Sequence, residues 1–254
     1  MVPITIFALI ATSVVIAHPV ADQKTMQDAI SLLVNEVDSS HLTVNRVLKF
    51  NEQLEHVKAT QGDRITLRCE VLSTPAAVFE WRHNGAIVQG DLDLNVYEKI
   101  MNINKPTVES GVVVSTYTIP CATQASAGTY TCIAYNGHSK IESNAEVVVE
   151  GEDSVCKPPR RSAPSIVQWT DSRFEMESNT ATLVCRTNKP AAIAWTYDDV
   201  IINNKSDRFE VMANGDLVIK SITWDDMGTY VCIASNKIGE SRVETFLYPT
   251  KKKN

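Results

Sequence analysis

A twelve-residue segment occurs twice in the chain, one hundred positions apart, and it limits the possible folds more than any other feature. The first copy is ASAGTYTCIAYN at 125–136, the second is DDMGTYVCIASN at 225–236, and seven letters agree in register. In the first copy Tyr130, Cys132 and Ala134 share one face of an alternating pattern. A period of two residues is typical of a half-buried strand. The chain therefore contains two copies of one β-rich unit.

Each copy also has a cysteine and a tryptophan upstream of the repeated segment. Cys69 ends the alternating segment RITLRC, and Trp81 follows it by twelve residues. In the second copy Cys185 ends ATLVC, and Trp195 follows it by ten. A strand cysteine, a tryptophan and then Gly-x-Tyr-x-Cys indicate a sandwich whose tryptophan packs against a disulfide between the two sheets. We therefore expect two disulfides, Cys69–Cys132 and Cys185–Cys232.

Both halves resemble immunoglobulin domains on these residues, and the second half is closer to the I-set in the segment NGDLVIKSITWDDMGTYVC. Tyr130 and Tyr230 each precede the second cysteine by two residues, where the hydroxyl can bond to the backbone of the preceding corner. The resemblance implies that Asp226 pairs with Arg208, whereas Ser126 replaces the aspartate in the first half. We predict an all-β fold of two tandem immunoglobulin-like sandwiches of I-set type, with a short N-terminal helical segment.

The remaining two cysteines are Cys121, where strand E enters the next loop, and Cys156, just past the last strand of the first domain. Both positions lie at the same end of an immunoglobulin sandwich, so we expect a Cys121–Cys156 disulfide that ties the linker to the first domain. Zinc is the alternative, but the chain has no C-x-x-C pair and its spacings do not suit a finger. The sequence RRS within the linker could alternatively be a dibasic processing site.

The N-terminus predicts secretion. An apolar stretch from Val2 to Ala17 precedes the first charged residue, Asp22, and is shorter than a membrane span. We expect signal cleavage after Ala17, with Ala21 as the alternative. Next, TMQDAISLLVNEV places apolar residues at helical spacing; this helix packs on its own domain or binds a partner. The predicted organisation is a signal peptide at 1–17, an N-terminal segment at 18–47, domains at 48–150 and 164–248 with a linker at 151–163, and a basic tail at 249–254.

Composition and motifs exclude several function classes. The 24 basic and 30 acidic residues give a net charge of −6 without a basic stripe, which excludes a nucleic-acid binder. The chain has no H-E-x-x-H, G-x-S-x-G or P-loop motif, so we predict no catalytic residue, no metal ligand and no cofactor. A hydrolase built on this fold is the alternative, because fold alone does not decide function. The remaining function is recognition of another protein.

Two immunoglobulin domains joined by the linker CKPPRRSAPS are similar to the nematode zwei-Ig family, and also to insect insulin-binding, ecdysone-inducible two-immunoglobulin proteins. The resemblance implies secretion by neurons and maintenance of axon and neuron position, without membrane insertion. The expected partner is a cell-surface receptor or adhesion molecule. The alternative is a soluble carrier that sequesters insulin-like peptides.

Two local features complete the predictions. The sequon Asn204-Lys205-Ser206 has polar neighbours, so we expect a glycan on Asn204.

The first domain is longer than the second between its tryptophan and its second cysteine, 51 positions against 37. The added residues fall within 90–111, where apolar and polar residues alternate over 92–97, which predicts an extra edge strand. This edge either completes a larger sandwich or faces the partner, since its side chains are types that interfaces favour. The expected partner-binding residues are Val96, Tyr97, Ile100 and Met101.

Overall fold

The structure is a computed structural model that describes residues 46–151, 156, 161–203 and 206–251. Within these ranges the chain forms two β-sandwiches, and the predicted fold class is confirmed. The predicted signal peptide, the N-terminal helix and the Asn204 sequon lie outside the described residues.

The first domain packs a sheet ordered β1-β3-β6 against a second sheet ordered β2-β8-β7-β4-β5. Strand β2 pairs in parallel with β8, and the other pairs within the domain are antiparallel. The strands are β1 (Val47–Glu52), β2 (Val57–Thr60), β3 (Ile65–Thr74), β4 (Val78–His83), β5 (Ala86–Gly90), β6 (Ser110–Ile119), β7 (Gly128–Tyr135) and β8 (Lys140–Glu150).

The second domain packs a small sheet ordered β10-β15-β14 against the strands β9-β17-β16-β12-β13. Strand β17 ends at Thr250, two residues beyond the predicted domain end. The strands are β9 (Ile166–Met176), β10 (Ala181–Leu183), β11 (Cys185–Thr187), β12 (Ala192–Tyr197), β13 (Val200–Ile201), β14 (Phe209–Val211), β15 (Leu217–Ile219), β16 (Gly228–Ser235) and β17 (Glu240–Thr250).

Each sandwich is closed around a buried tryptophan, Trp81 or Trp195, and a buried disulfide. Cys69–Cys132 joins β3 to β7, and Cys185–Cys232 joins β11 to β16. The hydroxyl of Tyr130 donates to the carbonyl of Ser126 at 3.0 Å, and Tyr230 donates to Asp226 at 3.0 Å. These bonds fix the corner before the last-but-one strand of each domain. The structure contains three disulfides: Cys69–Cys132, Cys121–Cys156 and Cys185–Cys232.

The predicted edge strand at 92–97 is wrong. Residues 91–109, all of which the structure describes, contain helix α1 (Val96–Met101) and no strand. Asn95 caps the helix, since its side chain accepts a hydrogen bond from the Glu98 amide at 3.3 Å. Three apolar residues in alternation are a weak strand signal, and contacts with the second domain outweigh it.

The helix leaves one edge of β6 without a strand from its own domain. Strand β9 of the second domain pairs antiparallel with that edge, from Ser110 opposite Phe174 to Ser115 opposite Gln168. The order β1-β3-β6-β9-β17-β16-β12-β13 is therefore one sheet, here called the joined sheet, which runs through both domains. Backbone hydrogen bonds, rather than the linker alone, hold the domains together.

Candidate functional site

A glycine permits the close approach of β6 and β9. A Cβ built on Gly111 would lie 2.6 Å from the carbonyl oxygen of Ser172, which is closer than real Cβ atoms come. Because that neighbour is backbone in a paired strand, a side chain at this position would push the two strands apart. Gly111 thus permits the pairing of the two domains.

Helix α1 and the residues after it contact the second domain directly. Asn102 is buried, and its side-chain amide donates to the Thr180 carbonyl and accepts from the Thr180 amide, both at 2.7 Å. The Tyr97 hydroxyl lies 3.4 Å from a carboxylate oxygen of Glu210 on β14. The segment that distinguishes the first domain from the second is therefore part of the domain junction.

A buried charge cluster lies beside this helix. Arg173 on β9 is 1% exposed and bonds both to Glu98 on α1 and, at 3.1 Å, to Glu175 on its own strand. Glu175 is fully buried and also accepts from the amides of Val108 and Glu109 at 3.0 Å each. The second domain thus supplies the arginine and one carboxylate, and the first supplies the helix carboxylate and two backbone donors.

Burial and neighbouring charges shift the titration of this cluster. Burial raises the pKa of Glu98 to about 7, against the lowering effect of the Arg173 guanidinium. Burial also raises the pKa of Glu109. Burial would lower the pKa of Arg173, but the carboxylates of Glu98 and Glu175 outweigh it and the pKa is raised. Arg173 therefore stays charged, while Glu98 and Glu109 resist ionisation.

Two successive hydrogen bonds link the core of the first domain to the domain junction. The indole nitrogen of Trp81 donates to the Ser115 hydroxyl at 2.8 Å, and that hydroxyl lies 3.2 Å from the carbonyl oxygen of Val167 on β9. All three residues are buried. The core tryptophan of one domain is thus connected through one side chain to the backbone of the other.

The joined sheet also presents an outer face that crosses from one domain to the other. Leu72 is opposite Val112, Val112 is opposite Ser172, and Ser172 is opposite Phe246. Residues directly opposite each other on paired strands project to the same side of a sheet. These four side chains therefore form a row across β3, β6, β9 and β17, and all of them are at least partly exposed.

Phe246, at the end of this row, and three neighbouring side chains form a group of four aromatic residues: Phe174, Trp224, Phe246 and Tyr248. Trp224, Phe246 and Tyr248 are 40%, 42% and 36% exposed. The Tyr248 ring lies 5.8 Å from Phe174 and 5.7 Å from Trp224, and Lys251 lies 5.0 Å over the Trp224 ring. We call these four residues the aromatic patch. Clustered, exposed aromatic side chains are typical of protein interfaces.

The described residues also limit other functions. They contain no group of three or more His, Cys, Asp or Glu side chains placed to hold a metal ion. Helices in this part of the chain are too short and too polar to cross a membrane.

Comparison with known proteins identifies the family. An immunoglobulin domain model matches residues 49–136 and 162–236. The Caenorhabditis elegans Zwei Ig domain protein zig-3 is 51% identical over 236 residues, covering 93% of this chain and 94% of the relative. The chain belongs to the zwei-Ig family. Zwei Ig domain protein zig-4 of the same organism is 50% identical, covering 94% of this chain and 93% of the relative.

A more distant relative has a solved structure. The Drosophila melanogaster neural/ectodermal development factor IMP-L2 is 28% identical over 201 residues, covering 76% of the zwei-Ig chain and 73% of the relative. The crystal structure of neural ectodermal development factor IMP-L2 has a TM-score of 0.62 at 27% identity, and covers 80% of this chain and 95% of that one. Immunoglobulin domains are typically binding modules, and three disulfides are typical of extracellular proteins.

The structure separates the four predicted partner-binding residues of this zwei-Ig protein. Tyr97 is directed to Glu210 in the second domain, and Val96 is half-buried. Ile100 and Met101 are 46% and 37% exposed. The helix therefore divides its residues between the domain junction and an exposed apolar face.

Sequence reasoning missed the aromatic patch of the zwei-Ig chain, although a signal was present. In the segment ETFLY, Phe246 and Tyr248 alternate with Leu247, which is fully buried. A period-two interpretation of β17 would have placed both aromatic residues outward.

The Arg208–Asp226 pair forms in the second domain, with a nitrogen–oxygen distance of 2.5 Å. Asp226 is buried, whereas the Arg208 side chain is 43% exposed. The Asp226 carboxylate also accepts from the Thr223 amide at 2.7 Å. In the first domain the Ser126 hydroxyl accepts the equivalent amide at 2.6 Å. The aspartate thus caps a turn as well as pairing with an arginine.

Proposed function

We propose that this zwei-Ig protein is a secreted recognition protein of the nervous system, which maintains axon or neuron position by binding a cell-surface or matrix protein. The aromatic patch on the outer face of the joined sheet is the observation that carries this proposal. Membership of the zwei-Ig family supports the neuronal role, because the resemblance to that family implies secretion by neurons and maintenance of axon position.

The patch suits a partner because it is apolar, exposed and rigid. Phe174 and Tyr248 are on neighbouring strands of the joined sheet, where Phe174 is opposite Tyr248 in register. Aromatic side chains bury a large area with few rotatable bonds, so little conformational entropy is lost when a partner binds. A sheet shared by both domains also removes the cost of fixing a domain angle on binding.

Secretion is supported by the predicted signal peptide and by three disulfides, which persist in oxidising compartments. A glycan on Asn204 remains part of the proposal. Glycosidase treatment of the secreted protein should lower its mass by the mass of one N-linked glycan. An unchanged mass would refute glycosylation of Asn204.

The test is affinity capture of extracellular proteins with the tagged mature chain. Phe246→Ser combined with Tyr248→Ser removes two exposed rings and leaves the buried strand face unchanged. The matched control is Ile100→Ser with Met101→Ser, which changes the exposed face of α1. We expect binding to be lost in the patch variant and kept in the helix variant. Loss in the helix variant alone would move the site to α1, and binding kept in both would refute both surfaces.

The second candidate function is a soluble carrier of insulin-like peptides. It is supported by the resemblance to insect two-immunoglobulin proteins and by the structural likeness to the Drosophila factor. Titration calorimetry with insulin-like peptides distinguishes the two. Nanomolar binding of a peptide would favour the carrier, whereas capture of cell-surface ectodomains without peptide binding would favour the adhesion role.

A further inference from the structure

The buried charge cluster contains more carboxyl groups than positive charges. Glu98, Glu109 and Glu175 all act electrostatically on Arg173, the one guanidinium that the described residues place at the centre of the cluster. If all three carboxyls were ionised, their negative charge would exceed the charge of Arg173 at a site that is mostly buried, and Lys99, which acts on Glu109, would offset only part of the excess. Uncompensated charge is costly in such surroundings, and protonation of a carboxyl is the usual response.

Glu175 is the carboxyl of this cluster whose oxygens accept the most hydrogen bonds among the described residues. It accepts hydrogen bonds from Arg173, from the side chain of Asn179 and from three backbone amides, those of Val108, Glu109 and Met176. Glu98 accepts from Arg173 through one oxygen, so its second oxygen can carry a proton without loss of that bond.

The groups that face Glu98 come from each element packed against it. Strand β9 supplies Arg173 and Glu175, the segment before β6 supplies Glu109, and β10 supplies the Thr182 hydroxyl. On its own helix, Lys99 acts on Glu109. Burial, one cation in direct contact and two further carboxyls therefore determine the charge of Glu98.

We propose that the buried charge cluster is a proton-linked latch, which takes up one proton on Glu98 when the two domains pair, so that mildly acidic solution tightens the junction. The direction follows from the titration of Glu98. Its pKa rises from an ordinary value of 4.5 to about 7 in the folded protein, chiefly through burial. The linked stabilisation is therefore complete below about pH 4.5 and is lost as the pH rises through about 7.

The test measures how well amides that join β6 to β9 are protected from hydrogen–deuterium exchange between pH 5.5 and 8, corrected for intrinsic exchange. One bound proton changes the pairing equilibrium by up to about tenfold per pH unit. We expect wild-type protection to fall at up to that rate toward pH 7. Glu98→Gln, which imitates the protonated side chain, should make this slope clearly shallower and leave only the contribution of Glu109. The control Glu244→Gln changes an exposed carboxylate of β17 and should behave as wild type.

Equal pH slopes in the wild type and Glu98→Gln, or no slope in the wild type, would overturn the latch. A direct titration covers the case in which Glu98→Gln does not fold. In the wild-type chain with ¹³C-labelled glutamate, the Glu98 carboxyl should titrate with a midpoint at or above about pH 6. A midpoint below that value would refute the proposal.

Discussion

Glu175→Ala should separate the two domains more effectively than any other single substitution at the junction. The carboxylate of Glu175 is fully buried and holds Arg173 at 3.1 Å, Asn179 at 3.0 Å and the amides of Val108 and Glu109 at 3.0 Å. Alanine removes the acceptor of all these donors at once. It leaves a buried guanidinium with Glu98 as its remaining ion-pair partner on the helix.

The magnitude follows from the environment of the carboxylate. Removing one partner of a buried ion pair costs about 3–5 kcal/mol. Each buried donor left unsatisfied costs about 1–3 kcal/mol, but these terms overlap and water entering the space recovers part of them. We therefore expect a loss of about 5 kcal/mol. In a folded unit of this size, each kcal/mol of lost stability lowers the melting temperature by about 2–4 °C. The expected loss therefore lowers it by about 10–20 °C.

Calorimetry of the purified chain measures this effect. Wild type should unfold in one cooperative transition, and Glu175→Ala in two, as the sandwiches unfold separately. Glu175→Gln keeps one acceptor and should give an intermediate loss. The exposed control Glu244→Ala should stay within about 0.5 kcal/mol of wild type. A single transition for Glu175→Ala within about 2 °C of wild type would show that the cluster does not hold the domains together.

Three further predictions concern other contacts. Gly111→Ala should weaken the β6–β9 pairing by about 1–3 kcal/mol, because its Cβ would meet backbone; unchanged amide protection there would argue against this. Asp226→Ala should lower the free energy of unfolding in urea by about 1–3 kcal/mol. Most of this loss comes from the turn cap, because the arginine partner is 43% exposed and the ion pair therefore contributes little. Asp226→Ser should recover most of the lost stability. Replacing Cys121 and Cys156 together by serine should lower the free energy of unfolding by about 2–4 kcal/mol and leave both cores folded. A near-ultraviolet circular dichroism spectrum unlike that of wild type would show that the cores had changed.

The sequence alone was sufficient for the sandwiches themselves. Three features indicated them: the alternation of the strands, the order of cysteine and tryptophan, and the tyrosine two residues before Cys132 or Cys232. These features depend mainly on residues close in sequence and on one disulfide in each domain. Local patterns of this kind predict which face of a strand is buried, because side chains alternate across it. The corner bonds of Tyr130 and Tyr230 in the structure follow from the same local geometry.

Tertiary structure alone decided how the two sandwiches combine. Glu98 and Arg173 are 75 positions apart, and Asn102 and Thr180 are 78 apart, so nothing local indicates that they meet. The alternation at 92–97 favoured a strand, but a helix at this place satisfies buried polar groups in the second domain and leaves β6 open to β9. The joined sheet and its outer aromatic face exist because backbone groups of both domains find their hydrogen-bond partners in each other.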